Sequence, residues 1–522
     1  MVVAFDLQKW GLTASAERPS IPGGPQTIDE MLTRARREFP QREALVDRHA
    51  RYDYAALDRA VNRAANLLLS RGVAPYDRVA ASITNGADLV IAFLATIRAG
   101  AIWVGINRKL APPEKRHILL DSGAKLFLGD AEMVAQVAAL EIPALDCVTV
   151  TEGGAWLGEN DAALSIVTDS HAPAAIAYTS GTSGFPKGAV HSQHNLLLVG
   201  ALTIARGDFD HSIRHGSFLP LTILNLMVLS PLVAFQQGSA AIIVDHASAQ
   251  TMAEWIGRER IGYFAGVPTQ LHDLLSSSDV RAQDLVTLKR VLIGGADSPE
   301  VLCNSYRDRF GTKVIIGYGM TEAPTAVTVT DGSVASGLCG KALGHLDVFV
   351  VDDRDQRLPA GELGEICVRP ASDGPLAGIY TPMLGYWNQP DATARTMRGD
   401  MFHTGDIGQI DERGDLYIRG RKSDLILRGG ANVYPAEVER VISSDNRIAA
   451  CAVLGRPDER LGERVVAFVE CKPGHATSSD ELRALCEKNL ARYKVPEEFF
   501  FVPGFERNSM GKIVKRDLLK SQ

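Results

Sequence analysis

One short stretch, residues 179–188, constrains this chain more than any other. It reads Thr-Ser-Gly-Thr-Ser-Gly-Phe-Pro-Lys-Gly and follows an apolar run, Ala174–Tyr178, which predicts a short buried strand. Four hydroxyls, three glycines and one lysine fall within it. Glycines let backbone N–H groups approach an anion closely, hydroxyls add uncharged donors, and a lysine supplies a point charge suited to phosphate. The stretch therefore predicts a loop that follows a strand and holds a polyphosphate.

The order of residues in this loop excludes the Walker A motif, in which a lysine directly follows a glycine. Here Phe185 and Pro186 separate Gly184 from Lys187. A loop rich in glycine and hydroxyls also fits a plain surface turn, but the ordered string is more specific. It resembles the loop Y-T-S-G-T-T-G-x-P-K-G of the AMP-forming adenylating superfamily, which includes acyl-CoA synthetases, peptide-synthetase adenylation domains and beetle luciferases. Ser183 replaces the usual threonine and keeps its hydroxyl.

The resemblance extends from about residue 30 to the end of the chain, and the chain is most similar to an acyl-CoA synthetase. It implies that ATP and Mg²⁺ bind here and that coenzyme A is a co-substrate. In the loop it assigns nucleotide contacts to Thr179, Ser180, Gly181, Thr182, Ser183, Gly184 and Lys187.

Length and composition define the class of protein. A chain of 522 residues is too long to fold around a single hydrophobic core, so we expect two or more domains. A net charge of −7 argues against general nucleic-acid binding, which needs a basic surface. Seven scattered cysteines, without a C-x-x-C pair, indicate neither a disulfide framework nor a zinc site and fit a reducing cytoplasm. Met1–Asp6 lacks the basic and apolar regions of a signal peptide.

The most membrane-like stretch, Leu219–Phe235, predicts a buried core helix, because it is short for a membrane span and contains Pro220 and Pro231. We therefore expect no membrane span and a cytoplasmic protein. His191 and His194 are close in sequence, but no acidic or cysteine partner is nearby, which favours structural histidines over metal ligands.

Helical and strand patterns alternate along most of the chain. A strand pattern at 78–83 precedes a helical pattern at 88–99, and the alternation returns over 240–295, which predicts layered α/β structure. Residues 348–418 are β-rich, and a charged, glycine-containing segment at 419–424 precedes a last region with its own strands and helices.

We therefore predict an α/β fold with two domains. The N-terminal domain, 1–420, is expected to contain layered α/β subdomains plus a β-rich subdomain, and the C-terminal domain, 421–522, to be a small α+β domain. The resemblance implies that the latter is a mobile lid with its hinge at about 421–424. Ser423 stands at the family's pivot position, where relatives commonly have Asp or Lys.

A second motif, Gly317–Glu322, follows a strand pattern and resembles the family's G-x-T-E block. The resemblance implies that Thr321 contacts the α-phosphate, that Glu322 binds Mg²⁺, and that Tyr318, next to Gly319, stacks on adenine. Aromatic stacking on a base is physically reasonable. Upstream, Gly294, Gly295 and Ala296 resemble the glycine-rich segment that flanks adenine and the acyl pocket.

A third motif contains Asp406, which matches the family's ribose-binding carboxylate. A carboxylate suits a vicinal diol because each oxygen can accept one O–H. Arg421 matches the basic residue that contacts ribose or phosphate beside it, and Lys512 matches the lysine that bridges the incoming carboxylate and the α-phosphate. The family's usual P-x-x-x-x-G-K spacing is altered at Lys512, because Pro503 lies farther upstream.

Two further segments match the family's substrate-binding regions. Gly429 and Gly430 belong to a loop that lines the pantetheine tunnel in relatives, where a narrow passage suits backbone without side chains. Ile223 stands where histidine is common in the acyl pocket. The predicted pocket residues are Ile223, Asn225, Gly266, Val267 and Gly294. Because this wall offers little to pair a polar group, we expect an apolar acid that is aromatic, alicyclic or medium-chain.

The predicted activity is that of an acid–CoA ligase. Acid and ATP give acyl-AMP and pyrophosphate, and the thiol of coenzyme A then displaces AMP. The expected partners are a small-molecule carboxylic acid and coenzyme A, without nucleic acid, and homodimer formation is left open. One alternative is an enzyme that loads an acyl or amino acid onto a carrier protein. Another is a non-catalytic nucleotide-binding protein, against which Lys187, Glu322, Asp406, Arg421 and Lys512 argue.

Overall fold

The computed structural model describes residues 5–13, 18–179, 186–207, 209–296, 298–323, 326–507, 513–515 and 518–521. The chain packs into two compact units. Unit 1 comprises Met1–Val348 and Val368–His403, and unit 2 comprises Phe349–Cys367 and Thr404–Gln522. Some predicted site residues lie outside the described residues, namely Ser180, Gly181, Thr182, Ser183, Gly184 and Lys512.

The α-helices of the described residues are α1 (Ile28–Glu38), α2 (Tyr54–Ser70), α3 (Ala87–Arg98), α4 (Pro112–Ser122), α5 (Ala131–Ala138), α6 (Gln193–Ala205), α7 (Leu224–Met227), α8 (Val233–Gln236), α9 (Ala249–Glu259), α10 (Pro268–Ser276), α11 (Glu300–Phe310), α12 (Pro390–Thr396), α13 (Pro435–Ser443) and α14 (Ser479–Asn489). Short 3₁₀ turns occur at Gln8–Trp10, Glu152–Gly154, Ala282–Leu285, Lys422–Asp424, Arg492–Lys494 and Leu518–Ser521.

The strands are β1 (Glu43–Val46), β2 (Arg51–Asp53), β3 (Arg78–Ser82), β4 (Ile102–Gly105), β5 (Leu126–Gly129), β6 (Asp146–Thr149), β7 (Pro173–Thr179), β8 (Lys187–Ser192), β9 (Arg214–Ser217), β10 (Ala241–Ile243), β11 (Ile261–Gly266), β12 (Arg290–Gly294), β13 (Val314–Tyr318), β14 (Thr328–Val329), β15 (Leu338–Ala342), β16 (Leu346–Val351), β17 (Gly364–Pro370), β18 (Gly385–Tyr386), β19 (Met397–Arg398), β20 (Met401–Ile410), β21 (Leu416–Arg421), β22 (Ile426–Arg428), β23 (Ala431–Val433), β24 (Ile448–Asp458), β25 (Gly462–Cys471) and β26 (Glu498–Phe501).

Unit 1 contains a large mixed sheet, here called sheet A, in the order β15-β14-β13-β12-β11-β9-β10-β1-β2. Its middle strands, from β13 to β1, are parallel, whereas β14, β15 and β2 pair antiparallel. The core on sheet A includes the fully buried Phe264 and Tyr306 together with Trp255. Helices cover this sheet because parallel strands need crossover connections, which bury both faces.

The second sheet of unit 1, sheet B, has the order β18-β8-β7-β4-β3-β5-β6. Strands β7, β4, β3, β5 and β6 are parallel, and β8 pairs antiparallel with both β7 and β18. Helix α2 begins after Asp53, whose side chain accepts a hydrogen bond from the Ala56 N–H. The core on this sheet includes Phe127, Ile176 and Trp387.

In unit 2, strands β20 and β21 form an antiparallel pair. The last part of the chain forms a separate sheet in the order β23-β22-β25-β24, with β26 parallel to β25. Helices α13 and α14 contribute Val438 and Leu482 to a core that also contains Val465 of β25. This small α+β layer agrees with the domain predicted at the C-terminus, although the boundary at residue 421 and the lid's rotation stay predictions.

The layered α/β prediction is confirmed by the observed elements. The strand pattern at 78–83 is β3, the helical pattern at 88–99 is α3, and β16 to β21 occupy the β-rich region predicted over 348–418. The differences at element ends are small, because propensity defines the middle of an element better than its ends.

The apolar stretch Leu219–Phe235 is helical from Leu224 to Gln236, where a π-helical turn, Val228–Leu232, joins α7 to α8. The helix begins later than predicted because Pro220 precedes a turn. Pro231 lies within the π turn, which is a common way to accommodate a residue that lacks an N–H. Across the described ranges, no helix is both long and apolar enough to cross a membrane.

Candidate active site

Three neighbouring strands of sheet A bring predicted site residues to one edge. β11, β12 and β13 are parallel and adjacent, with Gly266 beside Ile293 and Gly294 beside Gly317. Because parallel strands end at the same edge, the residues that follow each strand gather there, as in other open α/β sheets. The predicted residues at this edge are Gly266, Val267, Gly294, Gly295, Ala296, Tyr318, Gly319, Thr321 and Glu322.

Two glycines at this edge have distinct structural reasons. A Cβ at Gly294 would lie 2.6 Å from the carbonyl oxygen of Gly317, so the neighbouring strand leaves no room for a side chain. Gly295 has φ +79°, in the left-handed region that disfavours other residues. The predicted glycine-rich segment therefore needs its glycines for a close strand approach and for a sharp turn.

Sheet B carries the described ends of the predicted phosphate loop. Thr179 is the last residue of β7 and Lys187 the first of β8, and they are directly paired across the antiparallel ladder. The Thr179 hydroxyl donates a hydrogen bond to the Lys187 carbonyl, with 3.4 Å between the oxygens. The ladder therefore holds Thr179 and Lys187 side by side.

A tyrosine that the sequence did not single out connects the two motifs. The Tyr386 hydroxyl, at the end of β18, donates to Glu322 Oε1 at 3.0 Å. The Lys187 ammonium lies 5.3 Å from the centroid of the same tyrosine ring, within the range of a cation–π contact. Glu322, Tyr386 and Lys187 thus form one cluster within unit 1, here called the Glu–Tyr–Lys cluster.

His191 makes a second connection between sheet B and the Gly317–Glu322 motif. Its ring Nε2 donates to the Thr321 carbonyl at 2.6 Å, and the side chain is buried on β8. Burial lowers the pKa of His191 to about 4, so the ring is neutral at ordinary pH. His194 is also buried and bonds the Ile379 carbonyl at 2.7 Å. These bonds agree with the interpretation of both histidines as structural.

The chemistry of Glu322 fits a Mg²⁺ ligand. One carboxylate oxygen accepts from Tyr386, and Oε2 has no partner among the residues that the structure describes. No group of three or more His, Cys, Asp or Glu able to hold a metal occurs in those residues either. A single carboxylate suits Mg²⁺, which binds hard oxygen ligands and usually retains waters and substrate phosphates instead of an all-protein cage.

In unit 2, Asp406 and Arg421 are brought together by the β20–β21 ladder, in which they are direct partners. Arg421 Nε lies 2.7 Å from Asp406 Oδ1. The Asp406 side chain is only 7% exposed, whereas that of Arg421 is 53% exposed. The arginine therefore compensates the charge of a carboxylate that is nearly removed from water.

The other predicted residues of unit 2 lie in turns. Gly429 and Gly430 have φ +59° and +83° and connect β22 to β23 as a two-residue hairpin turn. Their glycine character is therefore required by the hairpin itself, apart from any role in a tunnel. Ser423 lies in a 3₁₀ turn, where its hydroxyl donates to Asp424 Oδ1 at 2.9 Å.

A cleft of about 860 Å³, including space open to solvent, lies against sheet A in unit 1. Its apolar lining includes Leu202, Phe209, Leu229, Val233, Leu292, Ile315 and Leu343, and its polar lining includes Thr203, Arg206, Arg290, Thr330 and Asp331. Ile223, Asn225, Gly266, Val267 and Gly294 do not line it. The cleft instead uses earlier positions of the same strands, such as Tyr263 on β11 and Leu292 on β12.

The site therefore contains residues that no local motif identifies. Tyr386 reaches Glu322 from a distant part of the chain, and His191 reaches Thr321 in the same way. A buried polar side chain needs a partner, but the sequence does not specify which one. The only available sequence signal is that Tyr386 and Trp387 form an aromatic pair directly before Asn388 and Pro390, which marks the end of a strand.

Comparison with known proteins gives matches over nearly the whole chain. The model of the AMP-binding enzyme family matches residues 32–387, and that of the AMP-binding enzyme C-terminal domain matches residues 437–512. Feruloyl-CoA synthase of an Amycolatopsis species is 34% identical over 476 residues, which cover 89% of this chain and 93% of that protein. Long-chain-fatty-acid–CoA ligase FadD13 of Mycobacterium tuberculosis is 33% identical over 506 residues, covering 94% and 97%.

Similarity to solved structures is equally extensive. The crystal structure of ATP-bound MatB from Rhodopseudomonas palustris superposes with a TM-score of 0.85 at 28% identity and covers 95% of this chain and 99% of that chain. The two family models, the relatives that match over most of their length, and the shared fold all indicate the family that the motifs around Lys187 and Glu322 resemble. The chain therefore belongs to the AMP-binding enzyme family, as an AMP-forming ligase of the acyl-CoA synthetase type.

Proposed function

We propose that this enzyme converts an apolar carboxylic acid to its CoA thioester in two steps. In the first, a carboxylate oxygen attacks the α-phosphorus of ATP, and pyrophosphate leaves with the electrons of the broken P–O bond. In the second, the sulfur of coenzyme A attacks the acyl carbon, AMP leaves, and the thiol loses its proton. The Glu–Tyr–Lys cluster carries this proposal, because it brings a cation of sheet B together with a carboxylate that is suited to Mg²⁺ and follows sheet A.

The first step brings anions together, so the chain must supply positive charge and fixed geometry. We assign Lys187, with Thr179, Ser180, Gly181, Thr182, Ser183 and Gly184, to the phosphates. Thr321 is assigned to the α-phosphate and Glu322 to Mg²⁺. Mg²⁺, when bound, neutralises phosphate charge and orients the leaving pyrophosphate. Lys512 is assigned to both anions at the reacting centre, because a flexible ammonium can reach an acid and a phosphate together.

We assign the adenine and the ribose of ATP to two different sets of residues. Tyr318, next to Gly319, offers an aromatic ring for adenine at the end of β13, and Gly295 and Ala296 border it. Asp406 is assigned to the ribose hydroxyls and Arg421 to ribose or phosphate. Asp406 is supported by its buried carboxylate, because Arg421 pairs with one oxygen and a carboxylate has acceptor capacity for further O–H groups.

The second step is assigned to residues 421–522 as a lid with its hinge at Ser423. A hinge needs only a position that absorbs a change in backbone dihedrals, and Ser423 lies in a single 3₁₀ turn. Coenzyme A is assigned to the turn at Gly429 and Gly430, where two residues without side chains leave backbone accessible.

The acid class is supported by the apolar cleft against sheet A. Leu229 comes from the π-helical turn, Val233 is the first residue of α8, and Leu292 and Ile315 come from β12 and β13. Removing apolar surface from water lowers the free energy by about 25 cal/mol per Å² buried, so an apolar cleft favours an apolar ligand. We therefore propose an aromatic, alicyclic or medium-chain acid, and we assign Ile223, Asn225, Gly266, Val267 and Gly294 to the binding of its carboxylate end.

The test is pyrophosphate release with a panel of acids, measured with and without coenzyme A. The proposal predicts release that depends on the acid, and AMP plus thioester only when coenzyme A is present. Pyrophosphate release without any thioester would favour an enzyme that loads a carrier protein. Equal kcat/KM for acetate and for a bulky apolar acid would contradict the assigned acid class.

A further inference from the structure

Tyr386 has a backbone that is held on both sides. Its N–H donates to the Thr393 hydroxyl at 2.9 Å, and β18 pairs antiparallel with β8, placing Tyr386 beside Ala189. The next residue, Trp387, stacks on Trp10 with 4.3 Å between ring centroids. Tyr386 as a whole residue is 7% exposed. The position of Tyr386 is therefore well defined, so its side chain can orient the side chains that contact it.

The hydroxyl of this fixed ring selects the orientation of Glu322. At 3.0 Å it donates to Oε1, and the described part of the chain gives the Glu322 side chain no other hydrogen-bond or ion-pair partner. A carboxylate that accepts one strong hydrogen bond keeps its second oxygen aimed in a defined direction. Tyr386 thus determines where Oε2 is presented.

The ring of Tyr386 has a second contact, with the Lys187 ammonium at 5.3 Å from its centroid. Among the described residues, no ion pair joins Lys187 to Glu322, although both contact one aromatic side chain. An ammonium and a carboxylate that contact the same aromatic side chain attract each other, and more strongly in a partly buried site than in bulk water. If Lys187 and Glu322 formed a direct ion pair, the lysine would be less available to bind phosphate and the glutamate less available to bind Mg²⁺.

We propose that Tyr386 is a positioning residue for the nucleotide site, holding Glu322 through its hydroxyl and Lys187 through its ring so that the two charges do not pair. This inference rests on the proposed function, in which Glu322 binds Mg²⁺ and Lys187 binds phosphate. In this role Tyr386 acts through Glu322 and Lys187 and not directly on the acid or the reacting phosphorus.

The test is calorimetric titration of ATP at a series of Mg²⁺ concentrations, without acid or coenzyme A, so that binding is measured apart from turnover. Tyr386→Phe, which removes only the hydroxyl, is expected to raise the Mg²⁺ concentration needed for half-maximal ATP binding roughly 10-fold, as loss of a hydrogen bond to a charged group predicts. Its affinity for metal-free ATP should stay within about 2-fold. Tyr386→Leu, which also removes the ring, should weaken metal-free ATP binding roughly 3-fold further.

Two additional variants separate positioning from simple destabilisation. Tyr54→Phe removes a buried hydroxyl in the same unit, one that donates to the Ser239 carbonyl at 2.7 Å. It should lower Tm and leave the Mg²⁺ requirement unchanged. The double variant of Tyr386→Phe with Glu322→Gln should match Glu322→Gln alone, because both changes act through one contact.

The outcomes distinguish this inference from the function on which it rests. An unchanged Mg²⁺ requirement in Tyr386→Phe, or effects that add in the double variant, would overturn the positioning role while leaving Glu322 as the metal ligand. An unchanged Mg²⁺ requirement in Glu322→Gln would instead overturn the assignment of Glu322 itself.

Discussion

Gly294→Ala tests whether the close approach of β12 and β13 is what builds the candidate site. The added Cβ would lie 2.6 Å from the Gly317 carbonyl oxygen, whereas real Cβ contacts essentially never fall below 3.0 Å. The strands must therefore move apart locally by about 0.4 Å to relieve the overlap, and overpacking of this kind costs about 1–3 kcal/mol. The backbone atom cannot rotate away as a flexible side chain would.

The same shift is transmitted to the predicted site residues Thr321 and Glu322, because β13 leads directly to them. A misplacement of about 1 Å near a reacting centre can cost on the order of 100-fold in rate, so roughly 10-fold is expected for this smaller shift. The assay is acid-dependent exchange of pyrophosphate into ATP, measured beside Tm, which should fall by a few degrees.

Gly344→Ala is the matched control for this prediction. No heavy atom lies within 4 Å of a Cβ at Gly344, and its φ lies outside the left-handed region. It should keep the wild-type exchange rate and Tm. If Gly294→Ala behaves like Gly344→Ala in both measurements, steric exclusion between β12 and β13 is not the reason for glycine at this position.

Three other substitutions test the roles of Lys512, Asp406 and His345. Lys512→Ala should cripple adenylate formation and leave thioester formation from supplied acyl-adenylate largely intact, and equal loss in the two half-reactions would contradict its role. Asp406→Asn should lower kcat/KM for ATP by about 10- to 100-fold, as expected for the loss of a charged hydrogen-bond partner; a kcat/KM equal to that of the wild type would argue against ribose binding. His345→Phe should reduce the loss of Tm on acidification. Burial lowers the pKa of His345 to about 3, so its contribution to stability is complete above about pH 6.5 and falls as the pH drops toward 3, by about 2 kcal/mol at pH 5. The variant should therefore lose a few degrees less than the wild type between pH 7 and pH 5, and an identical loss would contradict this.

Local patterns in the sequence predicted much of the fold because they reflect local physics. Period-two and helical apolar spacing located β3, α3 and the elements of the C-terminal region, since burial of one face depends on that spacing. The pairing of Thr179 with Lys187 and of Asp406 with Arg421 follows from antiparallel ladders. Which strands become neighbours depends on the whole chain, and no local pattern specifies that.

Long-range side-chain contacts were the part that the sequence did not predict. Tyr386 lies in a two-residue strand, and its contact with Glu322 depends on how β18 adds to sheet B while Glu322 follows a strand of sheet A. Gly429 and Gly430 show the converse case, because their glycines are explained by a hairpin turn in addition to the predicted tunnel. Motif matching therefore selected charged residues and missed the neutral side chains of Tyr386 and His191 that contact the same motif.

In the proposed first step, the acid's own oxygen attacks the α-phosphorus of ATP. The most direct test uses an apolar acid that the enzyme accepts as a substrate, with ¹⁸O at both carboxylate oxygens. The acid is incubated with enzyme, ATP, Mg²⁺ and coenzyme A, and the products are analysed by mass spectrometry. We expect AMP that contains one labelled oxygen and a thioester that retains the other. Unlabelled AMP, or label recovered in orthophosphate beside ADP, would contradict it.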